Sequence, residues 1–120
     1  MRLGRSAIAY CLVLSAACSG KFNSGPAGSA HIFRGWYASG FETESFQPCD
    51  AREQWWVIAP GSLTARYDSV AQHGYQEIFV VVHGDTSGLG RVGHLGQYDR
   101  YLTVREVIEV YAPGRGTCRR

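Results

Sequence analysis

The first eighteen residues decide how much chain is left to fold and in what compartment. Met1 to Arg5 carries two positive charges, Ser6 to Ala17 is almost wholly apolar, and small residues lead into Cys18. Basic, apolar, small, then cysteine is the order of a bacterial export signal that ends at a cysteine to be acylated. The apolar run is too short to span a bilayer: twelve helical residues rise about 18 Å against a hydrocarbon core of about 30 Å. Residues 1–17 are therefore expected to be removed, leaving Cys18 as a lipidated first residue. The competing expectation is ordinary cleavage in the Ala-rich stretch, which releases a periplasmic protein, because Leu14 lies four positions before Cys18 where such boxes usually place it three before. An uncleaved anchor is a third. Ser19 after the cysteine points to outer-membrane sorting in a Gram-negative cell, with the domain facing the periplasm.

Loss of Arg2 and Arg5 leaves ten basic residues against ten acidic ones. A neutral domain lacks the clustered Lys and Arg that attract phosphate backbones, so nucleic acid is excluded as a partner. Residues 18–30 read as a lipidated cysteine and tether: SGKFNSGPAGSA has no apolar period and cannot offset its ordering entropy. The folded domain is then residues 31–120, small enough to need a covalent staple. Cys11 leaves with the signal and Cys18 takes lipid, so Cys49 and Cys118 remain. In an oxidising compartment an even remainder implies one disulfide, there being no CxxC and no nearby histidine cluster to support a redox or metal-thiolate pair.

Four segments are strand-like. Residues 35–46 (GWYASGFETESF) alternate with a phase change near Gly40, which suggests a bulge or sharp coil. Residues 54–59 (QWWVIA) stop at Pro60-Gly61, and residues 76–83 (QEIFVVVH) are rich in β-branched side chains. Residues 101–111 place Leu102, Val104, Ile108 and Val110 on one face, with Glu106 the odd member, relieved by a bulge or paired with an arginine. Between the second and third strands, Leu63, Tyr67, Val70 and Ala71 fall at i, i+4, i+7 and i+8, with Ser62 to cap a helix over 62–73 and Gly74 to end it. One amphipathic helix among curved strands predicts a mainly β fold, an OB-like small barrel plugged at one end. The fifth strand it needs would come from splitting of the first segment or from residues 91–98; an α+β sandwich is the alternative.

Gly35-Trp36-Tyr37, Phe46, Cys49, Trp55-Trp56-Val57, Leu63, Tyr67 and the run from Ile78 to Gly84 resemble the carboxy-terminal OB domain of the NlpE family. Members of that family are envelope lipoproteins associated with copper homeostasis and surface-stress signalling. The resemblance covers about 50 residues and rests mostly on structural positions, so it implies the barrel. This chain shows no counterpart of the family's amino-terminal CxxC motif, and copper chemistry carried by that motif is not implied.

No catalytic arrangement is visible: there is no G-x-S-x-G elbow, no H-E-x-x-H and no supported Cys–His pair. Gly88-Leu89-Gly90-Arg91-Val92-Gly93 fits G-x-G-x-x-G, but more glycine-rich loop follows where a dinucleotide site needs a helix. That loop reads instead as a long hairpin connection. Glu42 and Glu44 lie on one strand face, about 7 Å apart by strand rise, and read as exposed like charges. His83, Asp85 and His94 are the candidate metal ligands, and copper or zinc is the ion that imidazole and carboxylate would take. Trp55 and Trp56 must point to opposite faces of their strand. One belongs in the core; the other, with Tyr98, Tyr101 and His94, is the candidate binding surface for sugar or peptide. The expected function is a non-enzymatic binding or stress- or metal-sensing module without a resident cofactor. It would be held to a membrane and partnered by an envelope protein or a cell-wall component.

Overall fold

The computed structural model describes residues 31–118. The signal segment, Cys18 and the tether lie outside them. Strands β1 (His31–Gly40), β2 (Thr43–Pro48), β3 (Trp55–Ile58), β4 (Ile78–Thr86) and β5 (Arg100–Val110) form a closed barrel in the order β1-β2-β3-β5-β4. All neighbours are antiparallel except β3 and β5, which run parallel from Trp55↔Arg100 to Ile58↔Thr103. Helix α1 (Gly61–Val70) connects β3 to β4. This is the OB architecture, and it replaces the sandwich alternative.

The missing strand comes from the first segment, which is two strands. Phe41 and Glu42 turn the chain back so that Gly40 pairs with Thr43 and Tyr37 with Phe46. Gly40 therefore marks a hairpin end and not the expected bulge. Its lack of a side chain is required by the Tyr75 ring, which lies where a Cβ would sit only 2.1 Å away. The Tyr75 hydroxyl donates to the Phe41 carbonyl at 3.0 Å and its amide to Ser39 O at 2.9 Å, fastening the connection after α1 to the hairpin.

Alternation along the strands puts Tyr37, Phe46, Trp55, Val57, Ile78, Val80, Val82, Leu102 and Val104 inside. Leu63 and Tyr67 on α1 close one end of that core, with Val70 and Ala71 packed beside them. The Tyr67 ring meets Tyr37 edge-on at 5.4 Å and its hydroxyl donates to Gln76 O at 2.9 Å. The helix is shorter than its apolar period predicts. Pro60, with φ −69°, occupies the cap position in place of Ser62, and no side chain bonds the first turn. It stops at Val70 because Ala71 is already extended and the Gln76 side chain takes the Gln72 amide at 2.7 Å.

β5 corrects the periodicity argument in a specific way. Its register against β4 slips between Val81 and Val82 and again between His83 and Gly84, leaving Ile108 and Arg105 as the extra residues. Each bulge reverses the in–out phase. Val107 and Val110 thus join Leu102 and Val104 against the core, Ile108 turns outward at 40% exposure, and Glu106 reaches solvent. The bulges resolve the Glu106 anomaly, but they exchange Ile108 for Val107.

Outside the barrel, a second apolar layer forms on β1 and β4. Phe79 is fully buried there, between Trp36 (5.2 Å between ring centres), Tyr111 (5.5 Å) and the Arg34 guanidinium (5.4 Å). The chain after β5 crosses this layer with Gly116 directly on the Phe79 ring and leads to Cys118. Cys118 is bonded to Cys49, with Cα atoms 5.2 Å apart. The bridge is the expected one, and it holds the carboxy-terminal segment down over the β1–β4 face.

Candidate recognition face

The exterior of β2, β3 and the start of β5 is built differently from the β1–β4 side. Trp55 faces the core at 6% exposure, edge-on to Phe33 at 5.2 Å, and so takes no part in an exposed surface. Trp56 must then face outward. It is half-buried, with Ser45 of β2 as its partner on one side and Tyr101 of β5 on the other. Tyr98 meets its ring edge-on at 5.0 Å. Burial alone raises the ionisation of the Tyr98 phenol above its ordinary value. Tyr101 is 36% exposed and Ile58, two residues along β3 from Trp56, 50% exposed. The structure thus brings Trp56, Tyr98 and Tyr101 together in one strip.

The β4–β5 connection builds part of this face. Its two arms are joined by Val92↔Tyr98 pairing, with amide-to-carbonyl distances of 2.9 and 3.1 Å, and by Gly90 N to Asp99 O at 2.9 Å. Asp99 docks the arm onto β3: its amide donates to Gln54 O and its carboxylate accepts from Gln54 N, both at 2.8 Å. Gly93 then lies flat on the Trp56 ring with φ +71°; a Cβ there would stand 2.8 Å from the indole. The glycines that imitate a nucleotide motif therefore serve close packing on an aromatic ring. The Gly93 amide donates to the Tyr101 hydroxyl at 3.4 Å. His94 opens a short 3-10 turn (His94–Gly96) whose Leu95 is 77% exposed, and Leu89 nearby is also exposed.

At the other end of the face, β2 and β3 pair only through Ser45↔Trp56 and Phe46↔Trp55. Beyond those pairs the strands part, leaving an open groove of about 400 Å³ between the hairpin and the end of β3. Glu42, Thr43, Glu44, Trp56 and Ile58 line it. Glu44 is an inward position at the helix-plugged end, opposite Ser39. Burial raises its carboxyl above the usual carboxylate range, and raises the Tyr37 phenol, with the Glu44 charge adding to the latter. The Tyr37 hydroxyl lies beside the Glu44 carboxylate, and hydrogen bonding from it offsets part of that rise for Glu44. Glu44 is thus not the exposed like charge that the strand pattern suggested.

The end of the barrel opposite α1 is closed by charge. Glu53 Oε2 accepts from Arg100 Nε at 2.8 Å and from the Trp55 indole at 2.7 Å. The hydrogen bond from Arg100 and then that from Trp55 hold the Glu53 carboxyl below its ordinary range. Neither residue stood out in the sequence, because nothing in their spacing links positions 53 and 100 before the parallel β3–β5 pairing is known.

The three candidate metal ligands are not brought together. His83 and Asp85 share the outer side of β4, where the Asp85 carboxylate accepts from Arg105 at 2.9 Å. His94 belongs to the connection that folds over β3, and the whole of β5 separates β3 from β4. Among the described residues no three His, Cys, Asp or Glu side chains gather as a metal ion requires. No helix among them is long and apolar enough to cross a membrane.

A closed five-stranded barrel with parallel β3 and β5, a helix between β3 and β4 and an aromatic outer face defines a protein of the OB class. Among solved structures, the chain is similar to the crystal structure of the Cpx pathway activator NlpE from Escherichia coli. The TM-score is 0.57 at 18% identity, over 74% of this chain and 43% of that one. The likeness agrees with the resemblance seen in the sequence and extends it to the fold of the whole barrel; the chain spans less than half of that protein's length. No protein-family model and no curated protein matches the sequence.

Proposed function

We propose that this chain is a cell-envelope lipoprotein whose barrel is a non-catalytic recognition module, held at the membrane through Cys18 and taking part in envelope sensing. The observation that carries the reading is the position of the Trp56–Tyr98–Tyr101 strip. OB barrels receive extended ligands across the strand 2–3 exterior, between the β1–β2 and β4–β5 connections. In this chain that exterior holds aromatic rings, and the flanking connections carry exposed Phe41, Leu89 and Leu95. Aromatic side chains with one face covered and one face wet supply contact area at little entropic cost. The partner is an envelope protein or a cell-wall component. Activation of a pathway, the role of the structurally similar Escherichia coli protein, fits such a module and makes a signalling partner the first to seek.

Photo-crosslinking residues placed at Ile58 and Tyr101, and at Ile108 on the far part of β5, test the reading in intact cells. Capture from positions 58 and 101 that is lost in Trp56→Ala, with none from 108, is the expected pattern. Equal capture from all three, or none from the first two, would remove the assignment. Cys18→Ser should move the protein from the membrane to the soluble fraction; unchanged membrane association would refute acylation.

A further inference from the structure

We propose that the barrel end at which β1 begins rests on an anionic phospholipid surface, so that the helix-plugged end points away from the membrane. The proposal rests on acylation of Cys18 and goes beyond the recognition reading. Residues 19–30 separate that cysteine from His31, the first residue of β1. A chain of that length spans at most about 45 Å fully extended, which keeps the start of β1 near the headgroups. His31 pairs with Gly84, two residues before the end of β4, and the β4–β5 connection follows directly. The β2–β3 connection lies at the same end, since Pro48 pairs with Gly35 and the Cys49 amide donates to Arg34 O. Helix α1 and the β1–β2 hairpin lie at the other. Chain connectivity alone thus selects the end that meets lipid.

The two ends also differ in charge. Glu42, Asp68 and Glu77 are exposed around the helix end, where α1 contributes one arginine, Arg66. At the opposite end most carboxylates are engaged: Glu53 by Arg100, Asp85 by Arg105, and Asp99 by the Gln54 amide, with Asp50 left in water. Arg52 and Arg91, on the two connections there, are exposed and belong to neither ion pair of the described residues. Lys21 before β1, and Arg119-Arg120 directly after the bridged Cys118, add three positive charges to the segments that join this end. An anionic bilayer attracts basic groups within a Debye length and repels carboxylates, so both ends favour the same orientation. Ile32 on the outside of β1 is 64% exposed and Leu89 at the base of the β4–β5 connection 67%. Apolar side chains among arginines suit the boundary between headgroups and acyl chains. Each contact is intramolecular once the chain is anchored, so weak ones suffice. The Trp56–Tyr98–Tyr101 strip, on the side of the barrel, stays open to a partner.

The test places the acylated, isotopically labelled chain in phospholipid nanodiscs whose headgroups carry a gadolinium chelate. The bulk lipid is phosphatidylethanolamine with phosphatidylglycerol in one set and phosphatidylcholine in the other. In the anionic discs the amide signals of Ile32, Arg52, Leu89 and Arg91 should broaden more than those of Glu42, Asp68 and Glu77. The contrast should shrink in phosphatidylcholine. Arg52→Gln/Arg91→Gln, at exposed positions where folding is not at stake, should lower the ratio of docked to undocked chain by about fivefold per arginine in the anionic discs. Leu89→Ser should lower it in both lipids. Equal broadening at the two ends, or stronger broadening at the helix end, would overturn the proposal. So would a contrast that neither the lipid charge nor either variant alters, because the tether alone would then set the distances. A chain that does not enter the discs refutes acylation and this proposal together, whereas an even pattern in loaded discs removes the orientation and leaves the anchor standing.

Discussion

Removing the Cys49–Cys118 bridge should cost a large share of the domain's stability, and the structure says where the loss appears first. The bridged residues are 69 positions apart. In the chain-entropy model, closing a loop of that length restricts the unfolded chain by about 4.4 kcal/mol at 25 °C. A domain of this size has roughly 4–13 kcal/mol in total, from typical per-residue values. Cys49→Ala/Cys118→Ala should therefore unfold at much lower urea concentration. It should also show a steeper dependence on urea, since the uncrosslinked chain expands further when unfolded. The loss is not uniform in space. The bridge presses the segment after β5 onto Phe79, and the Tyr111 amide is bonded to Phe79 O at 3.0 Å. In the variant, exchange of the Tyr111 and Arg115 amides should accelerate before that of the Val80 or Val82 amides deep in β4. A change below about 1 kcal/mol in urea would refute the reasoning. So would an increase in exchange spread evenly over the barrel, because the tail would then not be held by the bridge.

Phe46→Ala, at a side chain 1% exposed in the barrel centre, should cost about 3–5 kcal/mol in the same assay. Gly93→Ala forces a Cβ against the Trp56 ring at positive φ; it should cost about 1–3 kcal/mol, seen as a red-shifted Trp56 emission and faster exchange of the Val92 and Tyr98 amides. The Glu44 carboxyl is raised in the fold by burial, so its ionisation opposes folding above its folded-state value, and that penalty fades as pH falls through the carboxylate range. Glu44→Gln should accordingly raise the urea midpoint at pH 7 and raise it less at pH 4. The Glu53 carboxyl is lowered by Arg100 and Trp55, so its contribution is present at neutral pH and disappears in acid; Glu53→Gln should lower the midpoint at pH 7 and converge with the parent at pH 3.

Those positions also show what the sequence could and could not convey. The core of each strand was legible from two-residue alternation, and α1 from its four apolar positions, because both are local periodicities that burial imposes. The disulfide was legible by counting. Ile108 and Val107 were exchanged because a bulge is a property of two strands, and nothing within residues 101–111 announces the slip against β4. The hairpin at Phe41-Glu42 stood only as one of two sources for the fifth strand, for a related reason. It uses no Asn-Gly or Asp-Gly, and puts Glu42 in the left-handed region with φ 53°, where the sequence offers no usual signal. Trp56, Tyr98 and Tyr101 were legible as candidates by residue type alone. Their convergence required the parallel β3–β5 pairing, and the same pairing disclosed Glu53–Arg100. The burial of Glu44 depends on its facing Ser39 across the hairpin, which the single-strand picture could not provide.

The surface left for recognition follows from how the rest of the barrel is closed. One end is filled by Leu63 and Tyr67 of α1, the other is bridged by Glu53 and Arg100, and the β1–β4 exterior lies under the disulfide-held tail. These three closures use different chemistry: apolar packing, a charged hydrogen bond and a covalent strap. Each satisfies the groups it covers, as Phe79 at 0% exposure illustrates. The β2–β3–β5 exterior is not finished in this way. It keeps a half-buried Trp56 ring and the neighbouring side chains of Ile58 and Tyr101 in contact with water. Apolar area left wet raises the free energy of the isolated domain, and a segment laid across this face would remove that cost.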